Sequence, residues 1–265
     1  MHFAHHHYPG FSVLVFVMAI GAGCSATDFD ADGFFLFEGP STSVATIDID
    51  ATMSARATES AMTRIVVELD EDGVLLGNDL FLSGGERLEA TFGAQTQTLA
   101  RDPASTDIEY FADFNSSSSV DPIQVRFFRR DGSIVDSPFV FLRPDFTVTS
   151  PSTGQAADFM DVLSLEWTPA EPAEIMDVRL RLLCMTLDGG SRLRNVFQNF
   201  TDDGSASYDL SLFPEATDPL IDQSIDCILE IEFTRETLSS VAPPFGDGSF
   251  FTVQSRTIEN IVVSF

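Results

Sequence analysis

Apolar and polar residues alternate with period two along most of this chain. Ile47, Ile49, Ala51 and Met53 take one side of a segment, and Ile65, Val67 and Leu69 repeat the pattern. The second run ends at Asp70-Glu71-Asp72-Gly73, a turn signal. Leu88, Ala90 and Phe92 then oppose Arg87, Glu89 and Thr91, and Gly93-Ala94 turns the chain into residues 95–99. Ile108, Tyr110, Ala112 and Phe114 alternate next; beyond a polar run at 115–119 come Ile123, Val125 and Phe127. That strand is expected to turn at Asp131-Gly132 and return through 139–142. Period two with closely spaced turns predicts antiparallel strands packed as a sandwich. Only residues 55–62 offer a helical turn or two.

Arg143-Pro144-Asp145, followed by an extended segment ending at Pro151, reads as a domain boundary. Beyond it, strands are expected at 163–169, 178–187, 193–200, 208–212, 227–233 and 251–263. Thr149-Ser150-Pro151, Gly154 and the run Leu165, Trp167, Thr168, Pro169 resemble the opening of fibronectin type III and related immunoglobulin-like modules of bacterial surface proteins. The resemblance covers about 120 residues and implies a β-sandwich with Trp167 in its core. The tyrosine usual at the corner before the sixth strand is absent, and Cys227 lies in the strand concerned. The resemblance implies nothing specific about activity.

Residues 11–20 form an apolar run about ten residues long, too short to span a bilayer, which takes about 20. Followed by Gly21-Ala22-Gly23-Cys24-Ser25, it has the form of a secretory h-region and processing site. This resembles the lipobox of bacterial lipoproteins, which implies a diacylglycerol on the Cys24 thiol and cleavage before it. That family carries Leu, Val or Ile where this chain has Gly21, and Lys or Arg where it has His2, His5, His6 and His7. An ordinary signal peptide cut nearby, or a buried first strand, are the other readings of the same residues. Ser25 after the cysteine, by the same resemblance, implies the outer membrane, facing either the periplasm or the medium. The expected organisation is a lipoprotein signal peptide (1–23), an acidic tether (24–40), a first β-sandwich (41–144) and a fibronectin/immunoglobulin-like second sandwich (145–265). As a whole the chain resembles two-domain lipoproteins of marine bacteria to which no activity is attached.

Composition then narrows the chemistry. Net charge is −27, so nucleic acid and anionic lipid head groups are not expected partners. All 14 basic residues are Arg, and all four His precede Cys24. Beyond the signal the chain therefore lacks Ser-His-Asp and Cys-His catalysis, His metal ligands and Lys Schiff bases. Carboxylates remain, and a paired-acid hydrolase is the remote alternative.

Three features remain to be placed. Asp28, Asp30, Asp32 and Gly33 have the DxDxDG start of a calcium loop, with Glu38 at the eleventh rather than the twelfth position; a solvated acidic spacer reads equally well. Cys184 shares a strand face with Val178, Leu180 and Leu182, and Cys227 with Leu229, Ile231 and Phe233. In an oxidising envelope these two cysteines are expected to form a disulfide, the alternative being two buried thiols. The Arg pairs 129/130, 179/181 and 192/194 are expected on outer sheet faces opposite acids. Taken together, the sequence predicts an all-β, non-catalytic, envelope-anchored protein with an interaction or adhesion role and no required cofactor. A calcium- or carbohydrate-binding accessory module is the alternative.

Overall fold

The computed structural model describes residues 37–58, 61–71, 78–241, 245–246 and 248–265. The alternation becomes strands: β1 (Phe37–Pro40), β2 (Ile49–Ala57), β3 (Thr63–Glu71), β4 (Asn78–Phe81), β5 (Arg87–Phe92), β6 (Gln95–Thr98), β7 (Ala100–Arg101), β8 (Glu109–Phe114), β9 (Ile123–Phe128) and β10 (Ile134–Asp136). The second half supplies β11 (Thr147–Ser150), β12 (Ala156–Asp158), β13 (Val162–Thr168), β14 (Ile175–Met185), β15 (Ser191–Thr201), β16 (Ser205–Asp209), β17 (Cys227–Ser240) and β18 (Gly248–Ser264). No α-helix occurs among the described residues, and the protein is all-β.

Two apolar cores form, each between a pair of facing sheets. The first holds Met53, Ile65, Phe92, Phe114 and Phe127 between the four-stranded sheet β10-β9-β5-β6 and the β3-β2-β18 part of a larger sheet. The second holds Leu165, Trp167, Leu180, Cys184, Ile231 and Phe233 between the sheet β11-β13-β16 and the strands β15-β14-β17-β18. Three strands facing four, antiparallel along each layer apart from the short β12 that lies parallel to β18, is the sandwich architecture of fibronectin type III and immunoglobulin-like domains.

The two sandwiches share a hairpin. β17 and β18 pair over their whole length, and one sheet of 11 strands runs from β1 to β15 through both halves. Cys227, Leu229, Ile231 and Phe233 face the second core, while Val241, Phe245 and Phe250 belong to the first. Strand β18 completes the first sandwich by lying parallel to β2, from Gly248 opposite Ala51 to Gln254 opposite Ala57. Gly248 is required at the start of this contact, because a Cβ there would stand 2.6 Å from the Ala51 carbonyl oxygen. The boundary expected at 144/145 is therefore corrected. Residues 145–265 do not form the second sandwich alone, because their last hairpin crosses back to cover the first core.

Two local expectations also change. Residues 55–57 finish β2 in register with 63–65 of β3, because Ala55 and Ala57 continue the inward face of Met53 and the backbone bonds go across to β3. The return from β9 is made by β10 and not by 139–142. Ser137 interrupts the ladder, since its hydroxyl as well as its N–H bonds the Val125 backbone, and Pro138 has no N–H to continue it. Residue 140 meets Ile123 only as an isolated bridge.

The junction is polar and closed. Arg235 of β17, 1% exposed, donates to both carboxylate oxygens of Asp202 (2.6 and 3.0 Å) and to the carbonyls of Pro144 and Pro169. Trp167 Nε1 donates to the same carboxylate at 2.5 Å, and Phe146 lies under the Arg235 guanidinium. Gln254, fully buried, donates to the Arg143 carbonyl (3.1 Å). These bonds satisfy the linker backbone and fix it against the shared hairpin.

Candidate binding face

Cross-strand register builds the outer face of the long sheet row by row. Even residues of β14 point into the core and odd ones point out. Leu193, Leu183 and Ile228 therefore stand side by side across β15, β14 and β17, and each is 38–46% exposed. The next row is Asn195, Arg181 and Glu230, with Arg181 and Glu230 3.6 Å apart. Phe197, Arg179 and Glu232 follow; the Arg179 guanidinium lies 5.7 Å from the Phe197 ring centroid and 3.9 Å from Glu232. Phe197 is 69% exposed.

Beyond that row the face sinks into an open groove of about 370 Å³. Arg56 from the first sandwich and Asp177, Phe197, Glu232 and Glu236 from the second line it. Asp177 accepts from the Asn199 amide (3.1 Å), and burial raises its carboxyl above the ordinary range. The groove thus spans the shared hairpin, and both sandwiches contribute to its walls.

A second polar feature lies on the outer face of the first sandwich. Glu68 and Glu109 are opposite one another in β3 and β8, and Asp70 is opposite both Asp50 and Asp79. Partial burial, and then the hydrogen bond to Glu109, push Glu68 up to about 7. Partial burial and the neighbouring Asp79 push Asp70 up to about 6. Each raised carboxyl thus stands against a second acid on an open sheet. Among the described residues no group of three or more acids or cysteines is arranged to hold a metal ion.

The residues singled out in the sequence fall as follows. The Cys184–Cys227 disulfide is present and joins β14 to β17 inside the second core. Trp167 is 3% exposed and packs 5.9 Å from Phe233. Cys24, Asp28, Asp30 and Asp32 lie outside the described residues. Glu38 is in β1, paired in parallel with β4, and is 3.8 Å from Arg101. Arg179 and Arg181 are on the outer face opposite acids. Arg192 and Arg194 instead point to the core side of β15, where Asp218 and Glu215 meet them. Arg129 is partly buried, bonded to Glu86 and to the carbonyls of Ser41 and Val44, and so fixes the start of the first sandwich. Sequence periodicity missed the groove because its walls come from strands nearly the whole chain apart.

No protein-family model matches this chain, and no curated protein matches it. Among solved structures, the fibronectin(III)-like modules of Clostridium thermocellum CbhA align with 80% of this chain and 94% of theirs, at 12% identity and a TM-score of 0.23. The fold stated here rests on the strand pairing and not on that superposition.

Proposed function

We propose that this chain is a non-catalytic lipoprotein of the outer membrane, acylated at Cys24, whose fused sandwiches act as a structural or adhesion module for a protein partner. The observation that carries the binding role is the row Leu193–Leu183–Ile228, with Phe197 two rows further along the same face. Three apolar side chains exposed side by side, with an exposed aromatic on the same sheet face, are the kind of feature that marks an interaction site. The ion pair Arg181–Glu230 borders that row and separates it from Phe197, which stands beside the pair Arg179–Glu232. Catalysis is less well supported, because the carboxyl pairs at Glu68 and Asp70 lie on an open face that does not exclude water. The anchor reading rests on the apolar run and Gly21-Ala22-Gly23-Cys24.

Metabolic labelling with an alkyne fatty acid tests the anchor. Wild type is expected to take the label and to fractionate with the outer membrane, and Cys24→Ala to lose both. A Cys24→Ala form still held in the membrane contradicts the proposal. Protease treatment of intact cells, with a periplasmic marker, then assigns the face: cleavage places the partner outside, and protection places it in the periplasm.

A further inference from the structure

The edges of the sheets are unequal. Strands β1, β6, β10, β11 and β16 are three to five residues long, and short edges resist pairing with other chains. Strand β15 is an edge of 11 residues, in unbroken register with β14 from Ser191 to Thr201. It contains no Pro, no Gly and no acid. Its inward charges, the usual deterrent, are already neutralised, Arg192 by Asp218 and Arg194 by Glu215. No other strand pairs with its far side among the described residues.

Two bonds fix which backbone groups that edge offers. Thr186 N–H donates to the Gly190 carbonyl, and Asp202 N–H to the Glu174 carbonyl. Antiparallel pairs alternate between hydrogen-bonded and open. The even residues of β15 therefore bond to β14, and residues 191, 193, 195, 197, 199 and 201 aim their N–H and C=O groups away from the sheet. The same residues carry Leu193 and Phe197 on the exposed face.

We infer that β15 is the edge through which a second copy of this chain binds, antiparallel and two-fold about Val196, so that two sheets join as one. This rests on the binding-module reading and names its partner. In that register Arg192 meets Phe200 and Arg194 meets Gln198, so no charge stands opposite a like charge. Leu193 is diagonal to Phe197 of the other copy, which joins the two apolar patches. An isologous contact also closes both long edges at once, which an unrelated strand does not do. Charge favours this strip too: the chain is −27 overall, and β15 is a stretch without a carboxylate. Repulsion between the remaining surfaces is screened by salt, so the association strengthens as ionic strength rises. An acidic peptide drawn to the arginines would behave in the opposite way.

Sedimentation velocity of the full mature chain, carrying Cys24→Ala for solubility, tests this. A monomer–dimer equilibrium is expected, about tenfold tighter in ~1 M than in ~0.1 M NaCl. Asn195→Pro removes an outward N–H without breaking a bond to β14, so it is expected to be monomeric with an unchanged melting transition. Phe197→Asp, at an exposed side chain, gives the same loss by charge repulsion. A monomer at about 100 µM in high salt overturns the inference, and so does a dimer indifferent to both substitutions. Photocrosslinking from position 197 in cells separates the two levels of the argument. A product of twice the chain mass supports self-association. A product of another mass overturns it and leaves the binding module standing, and no product from 193, 197 or 228 overturns both.

Discussion

Phe250, near the end of the chain, lies directly opposite Met53 in adjacent parallel strands, and both side chains are fully buried in the first core. The last strand of the protein thus finishes the sandwich that the first strands begin. Phe250→Ala opens a cavity beneath β2 and is expected to cost about 3–5 kcal/mol. Hydrogen exchange should show the loss across β2, β3 and β9 first. Equal loss confined to β13 and β16 would contradict the assignment of Phe250 to the first core.

The Asp202 carboxylate accepts from both Arg235 and Trp167. Asp202→Asn leaves the buried Arg235 without its bidentate carboxylate, with only Glu171 at 4.0 Å to offset its charge, and is expected to cost about 3 kcal/mol. Adding Arg235→Met should recover part of that loss, since a buried pair removed whole costs less than a pair broken. Urea titration followed by Trp167 fluorescence reads both effects. A double variant worse than the sum of the singles would contradict this account.

Cys184 and Cys227 close a loop of 43 residues. The chain-entropy relation gives about 4 kcal/mol for such a loop, less any native strain. Replacing both by Ala is expected to lower the melting temperature markedly, and reductant should then have no further effect. An unchanged melting temperature would show that the bridge contributes little.

Stability should fall as pH rises through neutrality. Glu68 keeps its proton up to about 7 in the folded chain, because it is partly buried beside Glu109. Unfolded, it loses that proton near ~4.3. The folded state therefore binds more protons between those values, and the stabilisation is complete below the lower value and lost as pH passes the upper one. Asp70 acts in the same direction, with its folded value at about 6. Melting temperature should decline from mild acid to pH 8, and Glu68→Gln should flatten the upper part of the slope. A melting temperature that rises over this range would contradict the assignment.

The strands were legible in the sequence wherever one face is buried, because period two then shows directly, as in Ile65, Val67 and Leu69 or Leu163, Leu165 and Trp167. The disulfide was legible for the same reason: each cysteine shares the inward phase of its strand. What the pattern could not carry is partnership. Residues 251–263 read as one more strand of the second sandwich, yet the strand begins at Gly248 and runs against β2 as far as Gln254. Only a steric detail hinted at it, since Gly246 and Gly248 sit where a side chain would meet the backbone around Ala51. Arg192 and Arg194 lie on the inner side, against the expectation that charge faces solvent, because acids meet them there. Their phase in β15 matches the half-buried Val196 and Phe200, and the acids that meet them come from the 210–221 segment.

The fragment spanning residues 37–144 tests most directly whether the two sandwiches are one folding unit. Without Val241, Phe245, Phe250 and the β18 edge, it is expected to show no cooperative unfolding transition, and to regain one when the remainder of the chain is supplied in trans. A fragment that folds alone, with a sigmoidal urea transition, would contradict the shared-hairpin account and restore two independent domains.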